Sequence, residues 1–256
     1  RCVTATTATL GEAIGKIYVA QEFAGNSKAV AVEMIRDIEN AFESNLPALA
    51  WMDDATRQRA VEKAKKVTNK IGYPDVWRDY SSVVVKRDDY FASALSATRF
   101  EFDRDMKKVG QPVDRSEWRM VPHQVNAYYM STANEIAFPA GILQPPFFHK
   151  DYPAAMNYGA IGTVMGHELT HGFDDQGRKS DGDGVLREWW APEVAAKFEK
   201  QAACVEAQYS GVEVEPGVHV NGKLTLGENI GDIGGVKEAY VAFQGWKSRH
   251  KMPAPG

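Results

Sequence analysis

Only two cysteines occur in the 256 residues, Cys2 and Cys204. No disulfide framework can therefore hold the chain, and neither cysteine belongs to a CxxC pair of the kind that builds a zinc ribbon or a redox centre. Their plain reading is a pair of buried free thiols. No apolar run approaches the ~20 residues of a membrane-spanning helix. Basic residues form no stripe, and with a formal charge of −4 there is no electrostatic footprint for nucleic acid or an anionic membrane, so neither is expected as a partner. The chain has no Asn-x-Ser/Thr acceptor site, no internal repeat and no low-complexity tract. It begins at Arg1 without a charged-then-apolar leader, so any targeting segment is expected upstream and the chain is expected to be part of a longer one.

What is present reads as a soluble globular unit. Hydrophobic residues make up 44% and charged residues 25%, and the length suits one large domain, or one domain with a small lobe. Apolar residues at helical spacing run through Leu10, Ile14, Ile17, Tyr18 and Phe23. They recur through Val30, Met34, Ile38 and Phe42 behind a cap at Asn26 or Ser27. Asp53 or Asp54 caps a third helix through Val61 and Val67, whose KAKK run (63–66) reads as a solvated face. A fourth follows Asp88 and stops near Gly110 and Pro112. Beyond it, 124–129 and 136–138 are short, aromatic-rich and β-prone, predicting a small sheet or hairpin. Helices are predicted over 160–173, 192–209 and from 226, with a strand over 212–220. Asp181 to Gly184 lacks the distal ligands of a calcium loop and reads as a turn.

Chemistry concentrates in Gly166-His167-Glu168-Leu169-Thr170-His171, an HExxH motif on a helical pattern. Residues i and i+4 share one helix face about 6 Å apart along the axis, so two imidazoles can reach one metal ion. Glu168, beside the first His, can then serve as general base toward the attacking water and pass the proton to the leaving amine. A third ligand is needed, and Glu228 and Asp232, one turn apart in GENIGDIGG, offer it. Glu228 completes a His, His, Glu set, and Asp232 can accept the second N–H of a ligating His. The plain alternative for this acidic pair is an exposed helix face.

The run His167 to Gly177 (HELTHGFDDQG) resembles the zinc helix of the neprilysin family of zinc metallopeptidases. Asn126-Ala127-Tyr128-Tyr129 is similar to that family's substrate-binding strand, Asn134 to Phe148 to its hydrophobic block, and Gly227 to Gly235 to its third-ligand helix. The likeness extends thinly to Cys2 and LGEAIGKIYV, and so covers essentially the whole chain. The fold it implies is mainly α with a small β-sheet (α+β), a thermolysin-like zinc peptidase core. In that frame residues 1–110 form the helical part of the lobe and chamber, and 111–256 the zinc core.

The resemblance implies one Zn2+ per chain, held by His167, His171 and Glu228, with Glu168 and Asp232 as catalytic residues. It implies an endopeptidase cutting oligopeptides before hydrophobic residues, in a chamber that excludes folded proteins. Asn126 would bind substrate backbone through its side chain and Ala127 through its main chain. Ile142, Phe147, Thr163 and Val164 match the pocket for the residue after the cut, with core packing the plain alternative for Ile142 and Phe147. His123, His149, His219 and His250 match no ligand position. Cys2 and Cys204 resemble cysteines bonded to partners outside this span, which implies a secreted, periplasmic or extracytoplasmic location. Family members carry a tail whose His and Arg act on the transition state. No residue here matches either, so the chain alone is expected to turn over far more slowly than an extended one, and remaining segments of the parent polypeptide are expected to associate. The competing readings are a zinc-binding fragment without turnover and another HExxH…E endopeptidase, which would leave NAYY and NEIAFP unexplained.

Overall fold

The structure is a computed structural model and describes residues 2–250; residues 251–256 of the second expected span lie outside the described residues. Helices dominate the first part: α1 spans Cys2–Glu22, α2 Ser27–Asn45, α3 Asp54–Lys65 and α4 Tyr90–Lys107. Asp53 and Asp89 cap α3 and α4, accepting from the N–H groups of Thr56 at 2.7 Å and Ala92 at 2.9 Å. Such N–H groups in a first turn have no partner inside the helix.

Helix α2 buries the expected face, with Met34, Ile38 and Phe42 in the core. Helix α1 does not. Ile17 is exposed and Leu10 and Ile14 are half-buried, while Gly11, Glu12, Gly15 and Val19 face inward. Val121 and Pro122 pack where a Cβ on Gly11 or Gly15 would lie, at 2.4 and 2.6 Å, so close approach selects the small residues over the larger apolar ones. The KAKK run also departs from expectation. Lys65 and Lys66 are exposed, but Lys63 is 2% exposed, with its ammonium inside the fold.

The two β-prone segments pair as expected, β2 (Tyr128–Met130) running antiparallel to β3 (Glu135–Pro139) with Tyr129 opposite Ile136. A third strand, β1 (Thr68–Gly72), lies parallel to β3 on its other side, giving the order β1-β3-β2. Its sequence, TNKIG, has one large apolar residue and no alternation, so nothing local announces a strand. Tertiary pairing makes it one. Buried Glu135 joins the sheet: Lys70 of β1 lies 2.7 Å from one carboxylate oxygen, and the Tyr128 hydroxyl of β2 donates to the other at 2.8 Å. Lys70 also donates to the Glu117 carbonyl at 2.7 Å. Extra hydrogen bonds of this kind offset the desolvation of a buried ion pair. Strand β2 is an edge, with one side unpaired.

A short helix, α5 (Ala154–Asn157), leads through a π-helical turn at Tyr158–Gly162 into α6 (Thr163–His171). α7 spans Pro192–Ser210. The expected strand over 212–220 is instead a hairpin, β4 (Glu213–Glu215) and β5 (Val218–His219), turning at Gly217 with φ 76°. The last helix, α8, covers Leu226–Arg249. α2 packs on both α6 and α8. Its buried Asp37 accepts from the Tyr158 hydroxyl at 2.5 Å and from Arg249 at 2.5 and 2.7 Å, tying α2 to the turn that enters α6 and to the last turn of α8. One hydrophobic cluster runs from Val19 to Ala242. The fold is thus mostly helical with a small sheet. Among the described residues, no helix is long and apolar enough to cross a membrane. Cys2 and Cys204 are both free and exposed, contrary to the plain reading of buried thiols.

Candidate metal centre

Helices α6 and α8 touch backbone to backbone. A Cβ at Gly235 would lie 2.4 Å from the Thr163 carbonyl oxygen and 2.8 Å from the His167 nitrogen, and one at Gly231 would lie 2.9 Å from the His167 ring. These two positions admit only hydrogen, and that closeness carries the first turn of α8 against the end of α6. His167 and His171 stand one turn apart on α6 with ring centroids 4.4 Å apart and planes at 87°. Glu228 of α8 reaches over both: its Oε2 is 3.3 Å from His167 Nε2 and 3.7 Å from His171 Nε2. One donor atom from each of the three lies within 4.8 Å of the other two. Two imidazole nitrogens and a carboxylate oxygen, converging from two rigid helices, can hold a divalent metal ion.

The outer nitrogen of each ring is already engaged. His167 Nδ1 is 2.9 Å from Asp232 Oδ1, and His171 Nδ1 is 2.8 Å from Asp174 Oδ2. A carboxylate on Nδ1 selects the tautomer that leaves the Nε2 lone pair free and makes the ring a better ligand. Asp232 was named from the sequence. Asp174, its counterpart, was not, and an acid three residues after the second His, just past the helix end, is its only local signal. Burial lowers the affinity of His171 for a proton, but the hydrogen bond to Asp174 and the charges of Asp174, Glu168 and Glu228 outweigh it and raise its pKa above the ordinary imidazole value.

Glu168, between the two ligand histidines in the motif, is buried. Desolvation raises its carboxyl above the usual range, opposed by His171 and His167, reinforced by Glu228, and eased by the Tyr129 main chain. A carboxyl poised upward and dry is suited to taking and returning a proton.

The expected substrate residues are distributed as follows. Asn126 is exposed, two residues before β2, and its Oδ1 accepts from the Ala127 N–H at 2.9 Å. This occupies the Ala127 N–H. Among the described residues no hydrogen bond engages the Asn126 amide NH2. Ile142 is a core residue at 7% exposure, whereas Phe147 is 38% exposed. The Phe147 carbonyl accepts from the Ile161 N–H at 3.1 Å, joining its segment to the turn entering α6, where Thr163 and Val164 are half-buried. The other histidines are elsewhere: His123 contacts Thr7 at 3.1 Å, His149 lies near Asp151, His219 is exposed and His250 stacks on Trp246.

Comparison with known proteins identifies the family and its fold. Residues 126–256 and 1–74 each match a description of peptidase family M13. An endothelin-converting enzyme homolog of Locusta migratoria is 47% identical over 264 residues, covering 100% of this chain and 36% of the relative. Human endothelin-converting enzyme 1 is 45% identical over 269 residues, covering 100% and 34%. Among solved structures, the zinc metalloprotease ZMP1 of Mycobacterium tuberculosis in complex with an inhibitor superposes with a TM-score of 0.87 at 43% identity, over 98% of this chain and 38% of that one. PepO from Lactobacillus rhamnosis superposes with a TM-score of 0.84 at 34% identity, over 91% and 37%. The chain thus spans about a third of the length of the curated relatives it matches. With the HExxH helix, the GENIGDIGG helix and both family matches in one fold, this chain belongs to peptidase family M13, the neprilysin family.

Proposed function

We propose that this chain carries the catalytic zinc centre of an endopeptidase acting on oligopeptides. The observation that supports it most is the convergence of His167 Nε2, His171 Nε2 and Glu228 Oε2 beside the buried Glu168 carboxyl. The donor set fits zinc: two imidazoles and one carboxylate are a recurrent open catalytic set, and both rings carry the carboxylate partner that such ligands usually have. His167, His171 and Glu228 would hold the ion, one per chain. When bound, zinc supplies Lewis acidity, which makes water a nucleophile at neutral pH and polarises a carbonyl.

The chain's own residues do the rest. Glu168 takes the proton from the attacking water and delivers it to the departing amine nitrogen. Asp232 and Asp174 hold the two imidazoles in the ligating tautomer. The free side of β2 can receive an extended peptide as an added strand, with the uncommitted Asn126 amide at its entrance. We assign Phe147, Thr163 and Val164 to the pocket for a hydrophobic residue after the cut, with Ile142 behind them as its floor. Residues 1–110 and 111–256 act as one lobe, because β1 and α2 belong to the first span yet complete the sheet and core of the second. The two exposed cysteines support an oxidising, extracytoplasmic setting in which they pair outside this chain.

A quenched-fluorophore peptide with a central hydrophobic residue tests the reading in the intact protein. Cleavage should stop on zinc chelation and return on adding zinc, with the new amino terminus at the hydrophobic residue. Metal binding without cleavage would favour the non-catalytic alternative.

A further inference from the structure

The most buried charged side chain in the fold belongs to no part of the reaction described so far. Lys63, on the third turn of α3, is 2% exposed. Its ammonium donates to three main-chain carbonyls, those of Gly172 at 2.5 Å, Gly177 at 2.8 Å and Ser180 at 2.7 Å. Three acceptors match the three donors of an ammonium, leaving none unsatisfied. The rings of Phe173, Trp189 and Tyr129 lie 5.2, 5.7 and 5.9 Å from the nitrogen. Burial pushes the Lys63 pKa down to about 8, with Asp174 and Asp181 holding it up. On the main-chain side, Asn134 donates to the Lys63 carbonyl at 3.0 Å and to that of Gly182 at 3.1 Å.

All three carbonyls belong to the loop that follows α6. That loop folds back tightly: a Cβ on Gly177 would lie 1.8 Å from the His171 carbonyl oxygen. Gly177, which gives its carbonyl to Lys63, gives its N–H to Asp174 Oδ1 at 2.6 Å, and Gln176 N–H donates to the same oxygen at 2.8 Å. The other oxygen of Asp174 holds His171 Nδ1. A continuous chain of contacts therefore runs from Lys63 through Gly177 and Asp174 to the His171 ring. His167 has a simpler arrangement, since its partner Asp232 sits directly on α8 and needs no loop to place it. The loop's own regular structure amounts to a single 3-10 turn, Gly177–Lys179, in which the Gly177 carbonyl also accepts from the Ser180 N–H at 3.1 Å, so an internal cation that joins this turn to Gly172 is the physical means by which Asp174 can match the rigidity of a helix-borne acid.

We propose that Lys63 is a positioning residue for His171: by gathering the carbonyls of Gly172, Gly177 and Ser180 it fixes the 172–180 loop, and through Asp174 sets the imidazole that ligates the metal. This rests on the zinc reading above.

The test is zinc affinity in the intact protein, measured by competition with a chromophoric chelator. Lys63→Met keeps an unbranched stem only one atom shorter and removes the donors. It should weaken zinc binding about 10-fold, the lower end of the effect of losing an outer partner of a ligand. Asp174→Ala should weaken it by about 10- to 100-fold, and adding Lys63→Met to Asp174→Ala should change it little further, because both act through one carboxylate. Lys63→Gln, which retains two donors, should lose less than Lys63→Met, and it replaces Lys63→Met if that variant does not fold. In the unaltered protein, the Gly177 amide should exchange with solvent as slowly as amides within α6. The inference is overturned if the folded variants lose thermal stability but keep the parent zinc affinity, if the two losses multiply independently, or if the Gly177 amide exchanges freely. Failure of the parent protein to bind zinc at all would instead remove the zinc reading on which the inference rests.

Discussion

Replacing Glu168 with Gln in the intact protein is expected to lower kcat by about 10²- to 10⁴-fold, the usual worth of a positioned general base, while zinc content stays at the parent level. The amide has almost the size and shape of the carboxylate it replaces, and Glu168 touches neither Asp232 nor Asp174, so the ligand rings keep their tautomers. What disappears is the acceptor for the water's proton and the donor for the leaving amine. Because both losses fall on the transition state, KM should move little. Steady-state kinetics alongside metal analysis give the answer. Loss of the metal in this variant would mean that Glu168, not Glu228, is the carboxylate ligand.

The second large effect is structural. Gly235→Ala places a methyl group against the Thr163 carbonyl and the His167 nitrogen, both main-chain atoms that cannot swing aside. The helices must separate, and α8 takes Glu228 and Asp232 away from His167 as it moves. A loss of about 1–3 kcal/mol in folding stability is expected from overpacking, together with weakened zinc binding. Gly245→Ala on the same helix is the control. Its Cβ would meet only the Arg249 guanidinium at 3.6 Å, so it should be neutral or stabilise by up to about 1 kcal/mol through helix propensity. Chemical denaturation of the zinc-free forms separates the packing term from the metal term. Equal effects at the two positions would show that the α6–α8 contact is not what sets the site.

The same contact explains what could be read from the sequence and what could not. The HExxH spacing is a local pattern, and so is the acid pair Glu228 and Asp232 one turn apart, and both come together in the structure as the helical repeat demands. The capping aspartate Asp53 is local as well, and the cap of α4 falls at Asp89, one residue past the Asp88 from which the sequence starts that helix. The misses share a different cause. Strand β1 exists because β3 offers it an edge, and Glu135 offers Lys70 a charge, from more than sixty residues away. α1 buries glycines because Val121 and Pro122 come close. Lys63 sits in a run of lysines whose composition reads as a solvated face, and only the loop folded over it turns it inward. Asp174 lay within sight, three residues from His171, but its value as a hydrogen-bond partner depends on how the chain leaves α6. Of the residues matched to substrate binding, Ile142 is a core residue, as its apolar side chain reads in any sequence, and Asn126 has its oxygen committed to Ala127.

Zinc-loaded crystals of the intact protein, measured on both sides of the zinc absorption edge, test the central claim most directly. One anomalous peak per chain is predicted, bounded by His167 Nε2, His171 Nε2 and a Glu228 carboxylate oxygen at about 2.0 to 2.2 Å each, with Glu168 close by but not coordinated. A peak bound elsewhere, or no peak in well-ordered zinc-loaded protein, would contradict it.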